Sequence, residues 1–157
     1  MGLPLIEQAK IQAQVLVPLV RALQAELGEA RANALVRESL GALYRQYGEA
    51  WWQAQGAGEL EEKVAAAFTK FAEGDALQYE ILKQTPEALE LNVTECRYAK
   101  FYQELGAPEL GFLLTCSSDF PFVEGFGADV QLTRTQTIMQ GADHCDFRYT
   151  LNLKKKA

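Results

Sequence analysis

The chain has a single histidine and three cysteines in 157 residues. With no second histidine and no Cys-x-x-Cys, none of the strong zinc spacings is present. An odd cysteine count without close pairs fits reduced thiols better than a disulfide framework. The phosphate-cradling P-loop, the dinucleotide glycine fingerprint and the Gly-x-Ser-x-Gly elbow are absent too, which argues against ATP, nicotinamide and serine-hydrolase chemistry. Basic charge is also scarce. Fifteen Lys and Arg stand against 21 Asp and Glu, a net charge of −6, and Lys154, Lys155 and Lys156 supply three of the fifteen. So acidic a body is a poor nucleic-acid groove. No apolar run approaches the ~18 residues of a membrane span, and the first ten residues lack the basic start and apolar centre of a secretory leader. The expectation is a soluble, cytoplasmic protein.

There is enough apolar material for a core. At this length about 69% of the unfolded surface is buried on folding, which 48% hydrophobic residues can supply. Residues 1–153 read as one domain, with a helical half (1–74), a sheet half (77–153) and a basic tail (154–157). Leu16, Leu19, Val20, Leu23 and Leu27 recur at three- and four-residue spacing, predicting a helix over 5–27 that Pro18 should kink or interrupt and Gly28 should stop. Val36, Leu40, Leu43, Tyr44 and Tyr47 predict a second helix ending near Gly48. Leu60, Val64, Ala67, Phe68 and Phe71 predict a third, ending near Gly74. Trp51 and Trp52 fall between these two.

Residues 77–84 and 88–94 read as a hairpin across Thr85-Pro86-Glu87. Residues 97–105 and 108–115 return to helical composition, and 119–127 reads as an aromatic, glycine-containing loop. Residues 129–139 alternate, with Val130, Leu132, Arg134, Gln136 and Ile138 on one face and Gln131, Thr133, Thr135 and Thr137 on the other. That threonine row, Thr137 included, is either solvent-facing or a pocket wall. A last strand over 145–153 sets Phe147, Tyr149, Leu151 and Leu153 opposite Asp146, Arg148, Thr150 and Asn152. Helices followed by antiparallel strands make an α+β fold, N-terminal helices packed on a C-terminal antiparallel sheet.

Reactive side chains concentrate between residues 96 and 146: Cys96, Cys116, Asp119, Arg134, His144, Cys145 and Asp146. Cys116 and Asp119 lie one helical turn apart, so thiol and carboxylate can face one water or substrate. His144 and Asp146 share a face at a strand start, with Cys145 on the other. Brought together, these groups suffice for nucleophilic catalysis or for a metal. Each also has a plain structural role open to it, the thiols as small core residues and Asp119 as a cap.

Four blocks carry a resemblance: NVTECRYAKFYQELG from Asn92 to Gly106, Cys116-Ser-Ser-Asp119, LTRTQTIMQG from Leu132 to Gly141, and CDFRY from Cys145 to Tyr149. In order and spacing they resemble the L-2-amino-thiazoline-4-carboxylic acid hydrolase family. The resemblance implies hydrolytic opening of a small cyclic amidine such as L-2-amino-thiazoline-4-carboxylate, giving N-carbamoyl-L-cysteine. It implies Cys116, Asp119 and Cys145 as catalytic groups and Arg134 as a fork for the substrate carboxylate. Thr137, Asp146, His144 and Cys96 stand as further substrate-binding candidates. More distantly, the chain is similar to 4-vinyl-reductase-type small-molecule-binding domains, some of which carry zinc on cysteine and carboxylate. It lacks a glutamate between Arg134 and Cys145, so no metal and no other cofactor is expected.

The alternative reading is a binding module: the same pocket reports a small molecule or metal without catalysis, as sensor or accessory protein. In either case the apolar surface of the helical half, with Tyr44, Tyr47, Trp51 and Trp52, predicts a homodimer through helices.

Overall fold

The computed structural model describes residues 2–152; the predicted strand end at Leu153 and the run Lys154, Lys155 and Lys156 lie outside them. In chain order the elements are α1 (Leu5–Leu27), α2 (Glu29–Ala54), α3 (Leu60–Phe71), β1 (Leu77–Thr85), β2 (Ala88–Cys96), α4 (Arg97–Glu104), α5 (Pro108–Leu114), α6 (Asp119–Glu124), β3 (Val130–Thr133) and β4 (Cys145–Leu151). The fold class is α+β, with one antiparallel sheet among the described residues in the order β1-β2-β4-β3.

Helix α1 is not interrupted at Pro18. Ala13, Val17 and Val20 are buried on either side of the proline, and their packing offsets the hydrogen bond that it removes. Gly28 adopts φ +83°, which turns the chain into α2 at no steric cost. Helix α2 runs past Gly48 and takes in Trp51 and Trp52, so the predicted end at that glycine is corrected. The glycine is there for proximity instead. A Cβ on Gly48 would sit 1.8 Å from the Phe122 carbonyl oxygen, so its absence lets α6 lie directly on α2.

Residues 119–124 form α6 rather than a loop, entered through a 3-10 turn at Cys116–Ser118. The predicted strand over 129–139 shortens to β3. The chain then leaves the sheet and closes into a second 3-10 turn, Ile138–Gln140, capped by the Thr137 hydroxyl, which accepts from the Gln140 N–H. Thr137 is thereby separated from its row: it is 2% exposed, whereas Thr133 and Thr135 face solvent.

Two apolar cores result. One joins α1 to α4 and α5 through Ile6, Val17, Val20, Tyr102 and Leu110. The other joins α3 to the sheet through Val64, Phe68, Leu89, Leu91 and Phe147. Leu77, Cys96 and Ile138 pack against both and mark the seam between them. The aromatics expected to cover a dimer contact are largely used within the chain. Trp52 stacks on Phe126, and Trp51 donates to the Lys63 carbonyl. Tyr47 stays exposed, and the far side of α1 carries a row of exposed apolar residues, Ile11 at 55%, Val15 at 66% and Leu19 at 53%.

Candidate functional site

The 3-10 turn and α6 together place residues 116, 119 and 123 on one side and 117, 120, 121 and 124 on another, the three- and four-residue spacing of a helix. Cys116, Asp119 and Val123 therefore face the cores, and Val123 is buried. Ser117, Phe120, Pro121 and Glu124 line a cleft of about 570 Å³ against Arg37, Gly41 and Arg45 of α2.

Arg134 meets the inward face. Leaving the end of β3, it directs its Nη1 to Asp119 Oδ2 at 2.5 Å and to the Cys116 carbonyl at 3.1 Å. Its guanidinium carbon lies 5.0, 5.5 and 5.9 Å from the ring centres of Phe120, Phe147 and Phe112. Cation–π attraction in this box helps to hold a charge that only 2% of the side-chain surface shares with water. Asp119 keeps 32% of its side chain open. Arg134 Nε is buried with no partner among the described residues.

Burial controls the protonation of this group. It pushes the Asp119 carboxyl up from 3.8 to about 6, against the opposing pull of Arg134. Burial likewise drives the Cys116 thiol well above its usual value, with the Asp119 charge adding and Arg134 opposing. Cys145 is raised by burial more than the Ile138 N–H and Arg134 lower it. Cys96 rises to about 11, again through burial, while its Sγ accepts the Ala99 N–H at 3.4 Å as the cap of α4. Near neutral pH the three thiols are protonated, and Asp119 is the inward group that titrates close to it. Tyr44 and Tyr149, both raised by burial, also feel the Asp119 charge.

The predicted site residues thus divide. Cys116, Asp119 and Arg134 are in direct contact or adjacent, and Cys96 and Cys145 lie within reach of the same charges. His144 is apart: its ring nitrogen meets Asp143 Oδ1, and its carbonyl accepts from Gln136 Nε2. Asp146 accepts from Thr135 and Gln136, and Thr137 serves its own turn. Among the described residues no three His, Cys, Asp or Glu side chains group around one point as metal ligands would. The residues missed from sequence are aromatic. Phe120 and Phe147 sit inside or beside the recognised blocks, but only the turn of α6 and the register of β4 aim them at Arg134.

The model of the L-2-amino-thiazoline-4-carboxylic acid hydrolase family matches residues 8–149, from α1 to β4. The chain belongs to this family. The match covers the helical half as well as the C-terminal blocks. No curated protein matches the chain.

Proposed function

We propose that the chain is a cytoplasmic hydrolase that opens a small cyclic amidine of the L-2-amino-thiazoline-4-carboxylate type, with Asp119 as its acid–base group. The observation that carries this reading is the Asp119–Arg134 pair: a carboxyl shifted to about 6, still a third open, fixed by a buried guanidinium. A group titrating near working pH both takes and returns a proton with little penalty.

The reaction balances on that one group. Asp119 as carboxylate takes a proton from water as its oxygen bonds to the ring carbon between nitrogen and sulfur. The tetrahedral intermediate collapses with breakage of the carbon–sulfur bond, and the protonated carboxyl supplies the leaving sulfur. The second proton of the water passes from the hydroxyl to the former ring nitrogen as the carbonyl forms, so the product is a carbamoyl amine and a free thiol. The amidine nitrogens fit the same carboxylate by hydrogen bonds.

Arg134 takes a different part from the one the sequence suggested. Its Nη1 is committed to Asp119 and Cys116, so it sets the charge of the base. Its Nε, buried and without a partner among the described residues, keeps the guanidinium charge beside Asp119. Protonated, desolvated thiols are weak nucleophiles, and in this reading Cys116 and Cys145 shape the site rather than attack. No metal enters the scheme.

The test is turnover of L-2-amino-thiazoline-4-carboxylate and related cyclic amidines, followed by released thiol, with metal content measured on the same preparation. Cys116→Ser is expected to keep activity within about ten-fold, because the hydroxyl keeps the packing. Saturable binding without turnover across the panel would replace the hydrolase with the binding module.

A further inference from the structure

The triplet His144-Cys145-Asp146, conspicuous in the sequence, is left over by this chemistry, and each of its residues accepts a hydrogen bond from the segment that follows Arg134. The β3–β4 ladder ends at Thr133 opposite Arg148. Continued in register, it would set Thr135 opposite Asp146, but there the backbone pairing stops. Side chains take over. Asp146 accepts from the Thr135 N–H at 2.8 Å, the Thr135 hydroxyl at 2.5 Å and the Gln136 N–H at 2.9 Å. Cys145, on the opposite face of β4, accepts the Ile138 N–H on its Sγ at 3.2 Å. The His144 carbonyl accepts from Gln136 Nε2 at 2.9 Å. Three consecutive residues at the start of β4, His144 just before the strand and Cys145 and Asp146 within it, therefore fasten the segment that follows Arg134, where no strand neighbour satisfies its N–H groups.

Asp146 is the strongest of the three anchors, since an ionised acceptor makes stronger hydrogen bonds than a neutral one. Burial by itself raises its carboxyl, but the Thr135 hydroxyl and the Gln136 and Thr135 N–H groups outweigh that and hold it below its usual value. It stands on the outer face of β4, away from the reacting groups, and its reach is mechanical. With Thr135 tied outward, Arg134 immediately before it points inward, between Phe112, Phe120 and Phe147, onto Asp119.

We propose that Asp146 is a positioning residue: with Cys145 and His144 it clamps the segment after Arg134, and so fixes the guanidinium that holds Asp119. Its bearing on turnover rests on the hydrolase reading above, whereas its bearing on Asp119 does not. The groups that face Asp119 are Arg134, the thiols of Cys96, Cys116 and Cys145, and the hydroxyls of Tyr44, Tyr98 and Tyr149. Of these Arg134 alone is a cation, so loosening it leaves the carboxyl with burial and no opposing charge.

The experiment compares wild type with Asp146→Asn and Asp146→Glu by carbon-detected NMR titration of the Asp119 carboxyl and by steady-state kinetics. Val64→Ala, a core change on α3 that removes none of the clamp's hydrogen bonds, serves as a variant of reduced melting temperature. In Asp146→Asn the Asp119 midpoint is expected to move upward by at least half a pH unit. The kcat is expected to fall about ten-fold with KM within two-fold, while Asp146→Glu restores most of both and Val64→Ala moves neither. An Asp119 midpoint unchanged in Asp146→Asn overturns the proposal, and so does a kcat loss that Val64→Ala matches. Absence of turnover in wild type would remove the hydrolase reading and leave the titration to decide the clamp.

Discussion

Replacing Asp119 by Asn separates the chemistry of the site from its stability. The change keeps shape and leaves an amide oxygen for Arg134 Nη1, but removes the base and the counter-charge. Loss of a general acid–base group costs roughly 10²–10⁴ in rate, so kcat should fall at least ~100-fold, and the limb of the pH–rate profile near 6 should vanish. Stability moves separately. Asn resembles the protonated carboxyl, which the fold favours, and keeps one acceptor for Arg134, so at acid pH the melting point should change little and above pH 6 the variant should be no less stable than wild type. The fold should survive, since domains hold ~5–15 kcal/mol. The pH dependence gives a third readout. The folded carboxyl titrates at about 6 and the unfolded one at 3.8, so between these values the folded chain binds more protons. Stability contributed by Asp119 is thus present below 3.8 and is lost, by ~2–3 kcal/mol, as pH rises through 6. The Asp119→Asn variant should lack this decline. The assay is thiol release across pH 4.5–8 beside thermal melts over the same range. Retention of more than a tenth of wild-type kcat with the limb near 6 intact would refute the role given to Asp119.

Arg134→Lys keeps the charge but cannot span the Cys116 carbonyl and Asp119 with a planar group. Steady-state kinetics should show kcat falling more than KM rises; a rise in KM alone would return Arg134 to gripping the substrate carboxylate. Gly48→Ala drives a methyl into the Phe122 carbonyl, backbone against backbone. It should cost ~3 kcal/mol or more by chemical denaturation, and activity should fall with stability because α6 carries Asp119. For assembly, a homodimer through the exposed face of α1 predicts twice the chain mass in light scattering at micromolar concentration. Val15→Glu, at the most exposed of the three apolar positions, should give a monomer.

Periodicity and turn chemistry alone determined α1, α3 and the β1–β2 hairpin, because apolar spacing, Gly28 and Pro86 act within a few residues of where they stand. The C-terminal blocks also singled out Cys116, Asp119 and Arg134, which converge. What the sequence misread depended on a distant neighbour. Gly48 stops a helix by propensity and continues one here because α6 needs its empty side, a contact over seventy residues away in the chain. Alternation carried β3 to Met139, but a strand lasts only while a partner satisfies its ladder, and beyond Thr133 the Asp146 carboxylate replaces that partner. Nothing local to Arg134 shows that Phe112, Phe120 and Phe147 close around it. The working state of Asp119 was likewise out of reach of the sequence. A carboxyl pKa is set by the water and charge around it, and both exist only once the two cores meet at their seam.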